Sequence, residues 1–166
     1  MSLRPWSQRP VEEARLFNPA FLAMLTWACA RGYGEDDGSG IPFPLLFVAL
    51  PAILHKATRQ DFPRTGRTPL AAWLADHPEV QVRFAERARA LVPLIKEGIL
   101  FGTNGQLLQM SSSRILAAPR PRAMTGFLKE ATAEVAECVK KAEFVGKWFA
   151  HSGEYSTVMA LWGMTP

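Results

Sequence analysis

Apolar residues recur at helical spacing in Phe21, Leu22, Leu25 and Cys29, behind an Asn18–Pro19 pair that carries the N-cap and first-position signature. The pattern predicts a helix from Pro19 to about Gly32. Gly34 to Gly40 holds three acidic residues, Glu35, Asp36 and Asp37, and is too short for a twelve-residue calcium loop, so it predicts a solvated connection. From Ile41 to Leu54 the chain is almost continuously apolar, with Pro42, Pro44 and Pro51 inside the run. This segment predicts a buried core helix opened by Pro44 and kinked or broken by Pro51 around Phe47. It falls short of the ~20 residues a membrane-spanning helix needs.

Thr68 and Pro69 repeat the cap signature ahead of a short helix through Trp73 and Leu74, and Pro78 opens a second one. Pro93 is expected to end that second helix near Leu91 and to start a third, which runs out at Gly102, Asn104 and Gly105. Leu107, Leu108 and Met110, a turn at Ser111 to Ser113, then Ile115 and Leu116 read as two short strands. Helix, helix, helix and a two-stranded wing predict a winged-helix-like portion at 68–118. Phe127, Ala131, Val135, Cys138, Ala142, Val145 and Phe149 share one helical face, predicting a long helix from about Phe127 to Phe149 with Gly153 beyond it. The expected fold is therefore mainly α: one domain over 1–166, with an extended N-terminal segment at 1–17 and a C-terminal helix and docking tail at 125–166.

The chain has 166 residues, 48% of them hydrophobic, enough for a real core. Its 19 Lys and Arg against 15 Asp and Glu leave a net charge of +4, and the excess is localised. Lys56, Arg59, Arg64 and Arg67 face Asp61 alone, and Arg114, Arg120 and Arg122 follow Thr103 with no acid between. These seven are the candidate phosphate contacts, the alternative being that they solubilise loops. The helix that would enter a DNA groove, Pro93 to Phe101, offers only Lys96 beside Glu97, which argues against sequence-specific reading.

Candidate docking residues lie at the two ends of the chain. Trp6 sits in the N-terminal segment; Lys140, Lys141, Phe144 and Lys147 fall off the apolar face of the last helix; Tyr155, Trp162 and Met164 belong to an apolar tail. For Trp162 the alternative is a tail folded back on its own core.

His55, His77 and His151 are in separate segments without metal-ligand spacing, and Cys29 and Cys138 read as reduced core thiols. Gly38, Ser39 and Gly40 lack the first Gly of a nucleophile elbow, and no phosphate-cradling Gly-rich motif occurs. The expectation is no catalytic residue, no metal and no cofactor. Arg4, Arg9 and Arg15 are interspersed with Pro5 and Pro10 without an apolar leader core, which predicts a cytoplasmic protein with no membrane contact.

Asn18 and Pro19, the run Ile41 to Phe47 continuing through Leu50, Pro51, Leu54, His55 and Lys56, and then Arg67, Thr68, Trp73, Leu74, His77 and Pro78 form a recognisable series. It continues in Phe84 to Ala88, Leu100 to Gly102, Lys140 to Trp148, and Thr157, Val158, Leu161 and Gly163. In these residues, which span 18–163, the chain resembles the middle component of bacterial three-component ABC systems, the class that includes Lamassu-type antiphage defence. The resemblance implies a non-catalytic helical adaptor. It would link an SMC-like or Rad50-like ABC ATPase to an effector, read as a nuclease, in a defence complex against phage or plasmid, with at most weak non-specific DNA contact. The alternative, of a different class, is a stand-alone winged-helix DNA-binding regulator.

Overall fold

In a computed structural model the chain is described at Gln8 and over residues 17–165, and it is mainly α with one small antiparallel sheet. Helix α1 spans Pro19–Tyr33 and opens as its sequence requires, with the Asn18 Oδ1 accepting from the Ala20 N–H at 2.8 Å. Every residue from Leu22 to Ala30 is buried, so α1 is the central helix, covered on all sides rather than along one stripe. It packs against α5 (Phe84–Asn104) and α7 (Ala133–Ala150).

The apolar run at 41–54 does more than form a helix. Ile41–Pro42 is a short strand, β1, paired antiparallel with β3 (Arg114–Ala117) through Ile41↔Ile115 and Pro42↔Arg114. A 3-10 turn at Phe43–Leu45 then leads into α2, Leu46–Leu54. Periodicity could not separate these three pieces, since all are buried. Pro51 does not break α2: it deprives only the half-buried Phe47 of a donor, and the helix ends one turn later. Helix α3, Lys56–Asp61, takes up the first part of the basic stretch that runs on to Arg67.

Three helical elements precede the wing, as the sequence predicts, but their boundaries differ. Helix α4 is Leu70–Asp76, with Pro69 itself as the capping residue, and a 3-10 turn follows at Pro78–Gln81. The third element, α5, then runs 21 residues straight through Pro93. The break falls instead at Arg83, whose φ of 55° is left-handed. Pro93 is tolerated because the carbonyl it leaves unserved belongs to Arg89, an exposed residue where water can donate. The wing strand β2, Leu108–Ser111, pairs with β3 in the register Leu108↔Ala117 to Ser111↔Arg114, around a tight turn with Ser112 at φ 54°. Sheet order is β1-β3-β2.

The long helix expected over 127–149 is two helices, α6 (Arg122–Glu130) and α7. Thr132 separates them by capping α7: its side chain accepts from the Val135 N–H at 3.3 Å, with Glu134 in the first turn. The tail takes the second of its two expected courses, packing on its own core and not presenting Trp162 for docking. It forms α8, Tyr155–Leu161, which folds back so that Val158, Met159 and Trp162 are buried. Trp162, Phe84, Trp73, Phe62 and Trp148 make one aromatic cluster, with ring centroids 4.4 Å apart for Phe84–Trp162 and 5.3 Å for Trp73–Trp148. Cys29 and Cys138 are both free and buried, as expected of core thiols. No helix among the described residues is long and apolar enough to cross a membrane.

Candidate partner-docking site

The seven candidate phosphate contacts are not gathered into one surface. Arg59 is buried and committed internally: its Nε reaches Glu137 at 3.1 Å, one terminal nitrogen reaches Glu134 at 3.1 Å, and the other donates to the Ile53 carbonyl at 2.8 Å. It is therefore not available to phosphate, and its role is to rivet α3 and the end of α2 to α7. Arg114 is half-buried and donates to the Gly40 carbonyl at 2.9 Å, tying the loop before β1 to β3. Arg120 is exposed, but its guanidinium lies 5.4 Å from the Trp27 ring centroid, matched by Arg31 at 5.4 Å. Lys56, Arg64, Arg67 and Arg122 are exposed. Arg120, Arg114 and Arg64 line three different cavities.

The docking candidates separate as well. Trp6 and the segment expected to be extended at 1–17 lie outside the described residues, apart from Gln8 and Phe17. Trp162 is 2% exposed, inside the aromatic cluster, which removes it as a docking anchor; the burial of an indole on neighbouring rings outweighs its place near the chain's end. Met164 is partly buried against the same core, and Tyr155 remains at the surface. Lys147 is held by Glu35, in the loop after α1, at 2.7 Å, an ion pair that lowers the Glu35 pKa and raises that of Lys147. Phe144 is half-buried beside Phe62 and Trp148. Lys140 and Lys141 share a cleft with Phe144 and Arg64, so residues read as two separate sites meet on one flank of α7.

Shifted titratable groups have structural causes. Burial pushes the Cys29 thiol up to about 12 and raises that of Cys138, so neither is a thiolate near neutrality. Burial, aided by the charge of Arg87, lowers the pKa of His55, whose Nδ1 lies 2.8 Å from the Thr58 hydroxyl and accepts from the Thr58 N–H at 3.4 Å. A folded-state pKa below the ordinary His value gives stability that is present above about pH 6.5 and lost as pH falls through the lower folded value. Protonating Nδ1 also removes the cap of α3. The expected result is a melting temperature that declines from pH 7 toward pH 5, with a smaller decline in His55→Asn, which keeps a cap acceptor but does not titrate; equal declines in scanning calorimetry would contradict this.

The surface most suited to a protein partner is one that sequence reasoning missed. Phe101 is 53% exposed and Phe127 52% exposed. Together with Phe21, Met24, Leu107 and Met124 they frame a groove of about 350 Å³ between α1, the end of α5 and α6. On the other side of Phe127 a second groove of about 320 Å³ is lined by Phe21, Leu54, Val135 and Cys138 and ends at Arg59 and Glu134. Asn18, Phe21 and Phe127 belong to both, so the two grooves share a wall. Two half-exposed aromatic rings over such grooves offer deep apolar contact with a polar edge, the composition of an interface centre. The available signal was the Thr132 cap. It releases α6 from the long helix and frees Phe127 from the core face assigned to it.

A family model described as "ABC-three component (ABC-3C) system Middle Component 3" matches residues 6–166. No curated protein and no solved structure matches the chain.

Proposed function

Because the chain belongs to the ABC-three component system Middle Component 3 family, we propose that it is a non-catalytic adaptor that links the system's ABC ATPase, of SMC-like or Rad50-like type, to its effector, a nuclease. In this reading it holds the effector in check within a cytoplasmic defence complex directed against phage or plasmid. The observation that carries the adaptor role is the pair of apolar grooves around Phe127, since a half-exposed phenylalanine flanked by unfilled apolar space gains most by receiving a partner's side chains. The scattering of Arg59, Arg114 and Arg120 into structural contacts favours this over a DNA-binding regulator. Any DNA affinity of the isolated chain is accordingly weak, salt-sensitive and sequence-independent.

The test is to titrate the purified full chain against the ATPase component. Phe127→Asp, alone and with Phe101→Asp, is expected to weaken binding roughly 30-fold or more per ring. The melting temperature should stay close to wild type, since both rings are half-exposed already. Undiminished affinity in the double variant would remove the grooves from the interface, and tight binding of the chain to one short duplex over scrambled controls would favour the regulator.

A further inference from the structure

We infer that the cleft on the outer flank of α7 is a receptor for an acidic segment of a partner protein. The inference rests on the adaptor reading, because it assigns that adaptor a second surface, chemically unlike the apolar grooves.

The cleft, about 540 Å³, lies between the loop after α3 and α7. Ala133, Ala136, Glu137, Lys140 and Phe144 recur at spacings of three and four and so form one strip along α7, while Arg64 faces them from the loop. Lys141 completes the lining, its Nζ lying 5.6 Å from the Phe144 ring centroid and 6.0 Å from that of Phe62. Three cations thus meet one carboxylate, and that carboxylate, Glu137, is already bound by the buried Arg59 at 3.1 Å. Among the described residues, Arg64, Lys140 and Lys141 have no carboxylate within ion-pair distance. The cleft is therefore electrostatically incomplete, and its complement is anionic.

Two features select an acidic peptide over nucleic acid. Ala133, Ala136 and Pro63 make low walls that admit a polypeptide backbone beside the cationic side chains. Base stacking needs an open aromatic face. The Phe144 ring instead has Phe62 at 6.4 Å, Trp148 at 5.8 Å and the Lys141 ammonium around it. Arg114 and Arg120 line other cavities, so neither extends the charge of the cleft into a path for a phosphate backbone.

The experiment uses the full chain and a fluorescein-labelled twelve-residue peptide of Asp and Glu around a central Leu, with labelled oligothymidine of the same length as comparison. Anisotropy at low salt should show the peptide bound more tightly than the oligonucleotide. The double reversal Arg64→Glu with Lys140→Glu should weaken the peptide roughly tenfold. Both residues are exposed, so the fold should survive, and Lys96→Glu on exposed α5 surface should change nothing. Absent peptide binding, binding indifferent to the double reversal, or oligothymidine bound more tightly than peptide would each overturn the proposal, the last in favour of a nucleic-acid interface. Copurification with the other two system components separates this inference from the reading beneath it. A wild-type chain that assembles while the double-reversal variant assembles equally well refutes the cleft alone; a wild-type chain that fails to assemble refutes the adaptor.

Discussion

Gly146→Leu is expected to abolish or nearly abolish the native fold, observed as loss of the cooperative thermal transition. Helices α1 and α7 approach so closely that a Cβ on Gly146 would overlap the Cys29 carbonyl oxygen, and one on Gly32 would overlap the Glu143 carbonyl oxygen. The two glycines are reciprocal: each sits three residues from the carbonyl that its partner meets. The overlapping atoms are backbone, so no side-chain rotation relieves them, and the two helices must separate along the most extensive helix packing among the described residues. Overpacking of this kind costs about 1–3 kcal/mol even for modest insertions. Gly146→Ala recovers up to about 1 kcal/mol of helix propensity, so its net cost should be smaller but still destabilising. A melting temperature for Gly146→Ala at or above wild type would show that the helices are free to move apart.

Trp162→Ala is the second large effect, about 3–5 kcal/mol of lost stability, because it empties an indole site beside Phe84 and Trp73. The indole nitrogen is itself a liability, buried with no hydrogen-bond partner among the described residues. Trp162→Phe removes that orphaned donor while keeping most of the ring, and should cost far less than the alanine. Denaturant unfolding of both variants checks the order. An alanine variant as stable as wild type, with affinity for the ATPase component lost, would return Trp162 to the interface.

Much of the fold is legible from local signals. The Asn18–Pro19 start of α1 reads correctly because an N-cap is a short-range hydrogen bond that the sequence spells out. The wing reads correctly because alternation and a serine turn lie within a few residues of each other. What misleads is where tertiary context decides between equal local choices. Pro93 looks like a terminator, yet its unserved carbonyl is solvated and α5 continues. Phe127 continues the apolar stripe of Val135, Cys138 and Ala142, yet the Thr132 cap ends that register and turns the ring outward. Pairing of Ile41–Pro42 with a strand some seventy residues away leaves no periodic trace in a run of two.

The same division holds for the candidate sites. Arg59 is indistinguishable by sequence from Arg64 or Arg67, since nothing local reveals that Glu134 and Glu137 will meet it. The apolar grooves were invisible because their walls come from α1, α5, α6 and α7, which only folding brings together. Lys140, Lys141 and Phe144 are legible in the sequence because they lie off the core face of the helix; that Arg64 completes their cleft depends on how the loop after α3 folds and has no local signal.

If this chain holds its partners through the surface around Phe127, amide hydrogen exchange shows it most directly. The chain alone would be compared with the chain in a complex assembled by co-expression with the ATPase and effector components. Slowed exchange in α6 and in the last turns of α5, where Phe127 and Phe101 stand, is the expected result. A stable complex whose protection leaves both segments unchanged, or the absence of any complex, would contradict it.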